Sequence, residues 1–338
     1  MNILLSSAGR RVTLAGCFRE SLAELDLNGR VLAVDASPHS AAGQLSESFW
    51  RVPRCTDPGF IDSILRVCKA EDVQLLVPTI DTELALYANV RGEFQDNGIQ
   101  IAISDLEAVA IAGDKSLTHQ WLVAQGFPTV RQSTAESVLA QPEEWSLPLM
   151  AKPRRGSASI GVMKIESFRA LELLSNSNEI IVQEFARGDE YTINVFVDRH
   201  GRAICAVPHV RLEVRAGEVS KGMTVKHGEM MTLARDIAEA LPGARGPINI
   251  QCFLDGEGEI KIIEINPRFG GGYPLAHQAG AHFTRWMIEE ALTRPIISVE
   301  DDWQDGLLML RYDEAVYLSS DQVSANVREA VLCSPGSR

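Results

Sequence analysis

An isoleucine-rich stretch, residues 259–273 (EIKIIEINPRFGGGY), places the strongest constraint on the fold of this chain. Its first half holds several β-branched residues that favour an extended strand, namely Ile260, Ile262, Ile263 and Ile265. A DGEG turn at residues 255–258 separates it from a second apolar run, residues 248–254. Two apolar runs around a short glycine-containing turn predict an antiparallel β-hairpin.

Hairpin pairing would bring polar side chains to one face of the two strands. If the turn closes with Asp255 opposite Gly258, the pairs are Gln251 with Ile262 and Asn249 with Glu264. Because side chains alternate along a strand, this register predicts one polar face. Its members are Asn249, Gln251, Glu264 and Asn266.

Glu264 is an acid inside an otherwise apolar strand, and a buried carboxylate needs a cation or hydrogen-bond donors. Carboxylate and amide oxygens suit Mg²⁺, which keeps several waters and takes further ligands from phosphates. Pro267 then ends the strand, Arg268 adds a fixed positive charge, and residues 270–272 are glycines whose backbone can approach a ligand closely. The stretch indicates phosphate chemistry, although a plain hairpin with an exposed polar face and a glycine-rich loop is the alternative.

Composition narrows the class of protein. A chain of 338 residues can hold two or three domains, and 45% apolar with 23% charged residues is typical of a soluble globular enzyme. The net charge of -13 argues against a nucleic-acid partner, while a local basic pocket for a nucleotide stays open. No signal peptide or membrane span is expected, and the six cysteines form no CxxC pair. These features predict a reduced, cytoplasmic protein.

The N-terminal third alternates apolar strands with helical patterns. Strands are predicted at residues 2–6, 31–34, 73–77 and 99–103, which indicates a parallel, doubly wound sheet with ligands beyond the carboxyl ends of its strands. Asp35 stands where the ribose-binding acid of a dinucleotide oxidoreductase would lie, but only Gly9 follows the first strand, so the glycine fingerprint is missing. A helix or turn cap explains Asp35 equally well.

The middle of the chain predicts helices from residue 104, with Asp114 as an N-cap and Gly126 as a C-cap. A polar loop is expected at residues 132–146. Residues 147–165 then predict a strand containing Lys152, a glycine-bounded flap and a second strand. Amides and basic side chains of such a flap can cover phosphates, although an exposed basic hairpin fits as well.

The remaining segments predict further antiparallel pairing. Residues 180–191 predict a strand that runs into a polar connection, and further strands are expected at 192–197, 203–207 and 307–312. A helix packs through Met230, Leu233, Ile237 and Leu241, and another helix runs from Pro274 to about Leu292. His277 and His282 are five residues apart on that helix, so they do not share a face and predict no metal site.

Taken in order, these motifs resemble the ATP-grasp superfamily, and most closely the short, single-module relatives of the carbamoyl-phosphate synthase large subunit. The resemblance covers residues 1–300 and depends on the combination of the early lysines, the flap, the glutamine strand and the EINPR segment. It implies an α/β fold, with a Rossmann-like domain (residues 1–112) followed by a two-part α+β module. The parts are a lid with the flap (113–186) and a subdomain with the metal site (187–338).

The resemblance implies an ADP-forming carboxylate–amine ligase that uses ATP with Mg²⁺, or Mn²⁺ in its place, through an acylphosphate. The expected partners are small-molecule carboxylates and amines, with amino acids as candidates, and a second copy of the chain in a homodimer. Because the chain has one grasp module and no glutamine-cleaving portion, synthesis of carbamoyl phosphate is not expected. A regulatory protein that binds the nucleotide without turnover is the alternative.

Matching positions carry the family's roles over to this sequence. The nucleotide set is Lys115 and Lys152 at the phosphates, Arg154 and Ser157 in the lid, Glu184, Phe185 and Ala186 at the adenine, and Glu190 at the ribose. The metal set is Gln251, Glu264 and Asn266. Arg268 and Lys152 are the implied catalytic residues. Four further cations, Arg10, Arg211, Arg215 and Lys221, could bind a carboxylate substrate or be solvated surface charges.

Overall fold

The computed structural model describes residues 1–156, 160–175, 177, 179–296 and 301–330. By their internal contacts these divide into two compact units. Unit 1 comprises Met1–Ser104, Gly280–Glu300 and Tyr312–Arg338, and unit 2 comprises Asp105–Ala279 and Asp301–Arg311. The expected division of the second part at residue 186 stays a prediction.

Strands, numbered along the chain, are β1 (Asn2–Ser6), β2 (Val31–Asp35), β3 (Phe49–Arg51), β4 (Val73–Pro78), β5 (Gln100–Ile101), β6 (Gln132–Ser133), β7 (Leu149–Pro153), β8 (Met163–Ile165), β9 (Ile180–Glu184), β10 (Asp189–Val197), β11 (Ala203–Arg215), β12 (Glu218–Thr224), β13 (Gly246–Leu254), β14 (Ile260–Asn266), β15 (Leu308–Leu310) and β16 (Val327–Glu329).

Helices are α1 (Val12–Glu24), α2 (Ala41–Gln44), α3 (Phe60–Ala70), α4 (Asp81–Asp96), α5 (Leu106–Gly113), α6 (Lys115–Gln125), α7 (Ala135–Ala140), α8 (Phe168–Glu172), α9 (Gly228–Ala240), α10 (Tyr273–Gln278), α11 (Phe283–Ala291) and α12 (Ser320–Asn326). A 3₁₀ turn covers Pro142–Glu144. No described helix is long and apolar enough to cross a membrane.

Unit 1 is built on a parallel sheet with the strand order β16-β3-β2-β1-β4-β5. β1, β2 and β4 are almost entirely buried, as expected when helices cover both faces of a parallel sheet. The predicted doubly wound sheet is confirmed. The strand predicted at 99–103 is only two residues long, and two short strands, β3 and the edge strand β16, were not predicted.

A buried carboxylate holds together the carboxyl ends of β1 and β4. Glu83 is fully buried and accepts hydrogen bonds from Ser6 Oγ at 2.7 Å, Ser7 Oγ at 2.8 Å and the Thr79 amide at 2.7 Å. Burial raises the pKa of Glu83, and these donors act against that rise. The Glu83 side chain therefore fixes the loop after β1 and the loop after β4.

Asp35 has a similar local role. Its Oδ2 accepts from the Gly9 amide at 2.8 Å, and its Oδ1 accepts from the Ser37 amide at 2.9 Å. These bonds fit its interpretation as a turn cap. Arg10 is exposed beside this turn.

Unit 2 contains two antiparallel sheets. The larger has the order β14-β13-β10-β11-β12-β15, and the smaller has the order β6-β9-β7-β8. Asp114 and Gly126 cap α6 as predicted, with Asp114 accepting from the Ser116 amide and Gly126 in the left-handed region at φ 77°. The predicted strands around Lys152 and in the β10–β11 pair are also present.

Two local predictions were wrong. Residues 132–146 are not a loop, because they contain β6, α7 and the 3₁₀ turn, and their apolar side chains pack under the smaller sheet. Ala135, Val138 and Trp145 join that core. The helix predicted from Pro274 to Leu292 is two helices, because Gly280 adopts a φ of 109° between α10 and α11.

We predict that Glu83→Gln destabilises the protein by about 1–3 kcal/mol, because an amide NH₂ would face donors that now bond to a carboxylate oxygen. Urea unfolding measures the change. The matched control is Glu93→Gln, an exposed position on the same helix, which should unfold like the wild type. Equal stability of the two variants would contradict the role given to Glu83.

Candidate active site

The β13–β14 hairpin brings the predicted polar residues together in a shifted register. Gln251 pairs with Glu264 and Asn249 pairs with Asn266, so the predicted pairs of Gln251 with Ile262 and Asn249 with Glu264 were wrong by two residues. A shift of two returns each side chain to the same face, and the predicted grouping is confirmed.

The shift has two local causes. The turn is one residue longer than predicted, because the Asp255 amide donates to the Glu259 carbonyl at 3.1 Å while Asp255 Oδ1 accepts from the amides of Glu257 and Glu259. A bulge at Ile263 adds the second residue, since Cys252 still pairs with Ile262.

The polar face continues across the larger sheet. On β10, Glu190, Thr192 and Asn194 lie opposite alternate residues of β13, and β11 continues the row with His209 and Arg211. Most of this row is buried. A sheet face of this kind is stable only when its polar groups bond to one another or to a ligand.

Three consecutive glycines lie against this face. A Cβ on Gly270 would lie 2.1 Å from Asn249 Nδ2, and one on Gly272 would lie 2.6 Å from His209 Nε2. At Gly271 the nearest atom, Glu218 Cδ, would be 2.7 Å away. The three glycines are therefore explained by the close approach of their backbone to side chains of the sheet. The sequence had predicted a close approach to a ligand instead.

Lys115 occupies the first turn of α6 and points its ammonium at the hairpin. Its Nζ lies 3.5 Å from Glu264 Oε1 and donates to the Gly156 carbonyl at 2.7 Å. The start of this helix is anchored by Arg154, whose Nη2 lies 2.7 Å from Asp114 Oδ2. Burial acts to raise the pKa of Asp114, but the bonds from Arg154 and the Ser116 amide leave it below its ordinary value.

The side-chain ammonium of Lys152, on β7, forms no hydrogen bond or ion pair with any residue in the described ranges. Burial lowers the pKa of its ammonium, and the neighbouring charge of Glu264 acts in the opposite direction. A cation held in this way near a carboxylate is available to bind a phosphate oxygen.

These residues line a cleft of about 240 Å³ within unit 2. One part of its wall is charged and polar: Lys115, Lys152, Glu190, Gln251 and Glu264. Another part of the wall is apolar and forms a slot lined by Val130, Met150, Phe185, Phe253 and Ile263. A cleft with a few convergent polar groups and an apolar slot suits a small ligand that has both an anionic and an aromatic part.

The cleft includes most of the predicted nucleotide residues. Glu184, Phe185 and Ala186 line it, and Glu184 is held by Lys261 Nζ at 3.1 Å. The apolar wall from Val130, Met150, Phe253 and Ile263 was not predicted. Only Phe253 could have been found from the sequence, because it is two residues from Gln251 on the same strand and therefore points to the same face.

Other predicted residues lie outside this cleft. Arg268 donates through Nη1 to the Phe269 carbonyl at 3.0 Å and through Nη2 to Asn266 Oδ1 at 3.5 Å. It and Asn266 therefore lie next to the cleft residues on the hairpin rather than in its wall. Arg154 binds Asp114, and Ser157 lies outside the described residues.

The candidate substrate-binding cations on β11 and β12 have different surroundings in the structure. Arg215 and Lys221 both pair with Glu213, at 2.8 and 2.6 Å, and they lie on the partly exposed surface of β11 and β12. Arg211 instead points along the polar face and reaches Glu190, with Nη1 at 3.3 Å from Oε1.

Comparison with known families identifies this arrangement. Residues 112–272 match the model of an ATP-grasp domain, and residues 3–102 match that of a PylC-like N-terminal domain. Residues 112–272 thus form an ATP-grasp domain. Every residue of the cleft falls inside the ATP-grasp match, so the resemblance inferred from the motifs is confirmed. The finer likeness to carbamoyl-phosphate synthase relatives stays a prediction.

Similar sequences include two D-alanine–D-alanine ligases. The one from Corynebacterium aurimucosum is 29% identical over 44% of this chain and 45% of its own length. The one from Chromohalobacter salexigens is 27% identical over 57% of this chain and 68% of its own. The chain thus spans only about half to two thirds of these ligases.

Solved structures share the ATP-grasp fold over most of the chain. The biotin carboxylase domain of Hydrogenobacter thermophilus 2-oxoglutarate carboxylase has a TM-score of 0.71 at 14% identity and covers 90% of this chain and 73% of its own. N5-carboxyaminoimidazole ribonucleotide synthetase from Thermotoga maritima has a TM-score of 0.61 at 20% identity, over 88% and 77%. The predicted fold class is confirmed.

We predict that Gly270→Ala destabilises the ATP-grasp domain by about 1–3 kcal/mol, because the new methyl group would overlap the Asn249 amide. Urea unfolding followed by tryptophan fluorescence measures the loss. Gly256→Ala, in the turn of the same hairpin with no atom within 4 Å of the new Cβ, is the control. A Gly270→Ala protein as stable as the control would show that the loop is not packed against the sheet.

Proposed function

We propose that this chain is an ADP-forming ligase that uses ATP and Mg²⁺ to join a carboxylate to an amine through an acylphosphate. One observation carries the proposal: Glu264 and Gln251, paired across the hairpin, share a cleft wall with Lys115 and Lys152. Metal-binding oxygens and phosphate-binding cations therefore meet in one place, beside an apolar slot.

The cleft fits a purine nucleotide. The apolar wall around Met150, Phe185 and Phe253 can hold the flat base, and the segment from Glu184 to Ala186 borders it. Glu190 is placed to accept hydrogen bonds from ribose hydroxyls, and Lys115 and Lys152 to bind the phosphates.

The donor set also fits Mg²⁺. Glu264 supplies a carboxylate, and Gln251 and Asn266 supply amide oxygens from the same sheet face. No cluster of three His, Cys, Asp or Glu side chains that could hold a metal occurs within the described ranges. A site with so few protein ligands suits Mg²⁺, which completes its shell with water and phosphate oxygens.

When bound, the nucleotide supplies the phosphoryl group and Mg²⁺ spreads its negative charge. The protein's own contribution is alignment: Lys115 and Lys152 hold the phosphates, and Arg268 stands beside the metal-binding strand. The substrate carboxylate oxygen forms a bond to the γ-phosphorus while the bond to ADP breaks. The amine then attacks the acyl carbon, loses a proton and displaces phosphate.

The regulatory alternative would leave the catalytic set without a use. Lys152, Glu264, Asn266 and Arg268 are all present, and Arg268 donates a hydrogen bond to Asn266 at the end of the hairpin. We therefore favour turnover. Amino acids are the proposed substrate class, because sequence relatives are named as ligases of D-alanine.

Arg10 remains a candidate for binding a carboxylate substrate. The division of the ATP-grasp part into a lid and a metal subdomain, and a homodimer, are also proposed. A biotin carboxylase domain with this fold has been solved as a dimer.

We predict that Glu264→Ala lowers ATP turnover by about 10²-fold or more, because the phosphates would lose their metal, while the fold survives. Gln251→Ala and Asn266→Ala should each cost less, since each removes a neutral ligand. Release of ADP in a coupled assay measures turnover. Glu257→Ala, exposed in the turn of the same hairpin, is the control. A near-normal rate in Glu264→Ala would refute the metal assignment.

The substrate class is tested by ADP release with amino acids, singly and in pairs. A ligase should release ADP only when both its acid and its amine are present. If ATP binds but no acid stimulates ADP release, the regulatory alternative is supported instead.

A further inference from the structure

The sequence left Arg211 as either a cation for a carboxylate substrate or a solvated surface charge, but its surroundings point to another role. Its side chain is only 6% exposed, and it does not line the cleft. Nη1 lies 3.3 Å from Glu190 Oε1, and Nη2 donates to the Gly217 carbonyl at 3.1 Å. Both terminal nitrogens of the guanidinium are thus engaged by neighbouring groups, while the buried Nε has no hydrogen-bond partner among the described residues.

Arg211 Nη1 also reaches Gln251, on the hairpin proposed to bind the metal. In the amide orientation that satisfies both groups of Gln251, its oxygen accepts from Arg211 Nη1 at 3.1 Å and its nitrogen donates to Glu264 Oε2 at 3.3 Å. Arg211, Gln251 and Glu264 thus form one chain of contacts, with Glu190 as a branch. The strands β11, β10, β13 and β14, adjacent in the sheet, carry these four residues.

This chain of contacts joins the two ends of the proposed nucleotide site. Glu190 is the proposed ribose acid, whereas Gln251 and Glu264 are proposed metal ligands. Burial raises the pKa of Glu190, and the charges of Arg211 and Lys152 act against that rise. Without Arg211, Glu190 would lose its ion-pair partner and Gln251 would lose the donor that fixes its amide.

We propose that Arg211 is a positioning residue that couples ribose recognition by Glu190 to metal binding by Gln251 and Glu264. The inference rests on the proposed function of the cleft. A planar guanidinium suits this role because Nη2 is anchored on the Gly217 carbonyl while Nη1 lies between Glu190 and Gln251, a fixed geometry that a flexible ammonium does not keep. Because Arg211 does not line the cleft, it acts through Glu190 and Gln251.

The test compares Arg211→Met and Arg211→Lys with Arg202→Met, an exposed arginine at the turn between β10 and β11. Each protein is assayed with ATP, 2′-deoxy-ATP and 3′-deoxy-ATP, and over a range of Mg²⁺ concentrations. Direct binding of ADP is measured by calorimetry. Circular dichroism and urea unfolding establish that each variant is folded.

We expect the wild type to prefer ATP to at least one deoxynucleotide by about tenfold, the value of one hydrogen bond to a charged group. Arg211→Met should lose most of that preference and need several-fold more Mg²⁺ for half-maximal turnover. Arg202→Met should match the wild type in both. If Arg211→Met does not fold, Arg211→Lys serves, because it keeps the charge but loses the fork.

A second comparison isolates the route of the effect. In a Glu190→Gln background, Arg211→Lys should no longer change the ribose preference, while its effect on the Mg²⁺ requirement persists. A change confined to the KM for the acid substrate would instead indicate that Arg211 binds the carboxylate of that substrate, and it would overturn the proposal. Wild-type behaviour of the Arg211 variants would overturn it too.

Failure of the proposed function gives a different result. In that case the wild type itself would not turn over ATP with any acid and amine, whether or not it binds ADP. If the wild type binds and turns over the nucleotide but shows no ribose preference, Glu190 does not recognise the ribose and only the coupling is refuted.

Discussion

A carboxylate set in an isoleucine-rich strand is the constraint on which the ATP-grasp domain depends. Glu264 lies on a sheet face where a charge is costly unless it is balanced. The balance comes from the helix start that carries Lys115 at 3.5 Å, from the amide of Gln251, and from the nearby charge of Lys152 on the smaller sheet. Elements distant in sequence are thereby held around one acid.

The same face explains features that look unrelated in the sequence. The glycine run at 270–272 is small because Asn249, Glu218 and His209 occupy the space that Cβ atoms would need. His209 is fully buried and lies 3.3 Å from Asn194 Nδ2, and burial lowers the pKa of its imidazole to about 3, so it packs as a neutral ring. The polar residues therefore form a connected layer under the cleft, which keeps the ligand-binding groups in place.

Prediction from sequence succeeded where a local rule applies. The strands β1, β2 and β4 follow from continuous apolar runs, and the caps of α6 follow from Asp114 and Gly126. It failed where packing decides. The segment 132–146 is polar enough to read as a loop, yet Val138 and Trp145 reach a core supplied by residues far along the chain. The break at Gly280 and the two-residue register shift likewise depend on backbone geometry that composition does not encode.

The sequence by itself indicated the ATP-grasp motifs, the order of the elements and the charged part of the cleft wall, because strand alternation and glycine placement are local properties that place Gln251, Glu264 and Asn266 on one face. Only the tertiary structure decided which cations reach that face. Arg211, Arg215 and Lys221 lie within one short segment, but a bulged antiparallel pairing turns Arg211 into the buried layer and leaves the other two with Glu213. The reason is physical: which charges meet depends on strands that are neighbours in the sheet and not in the chain.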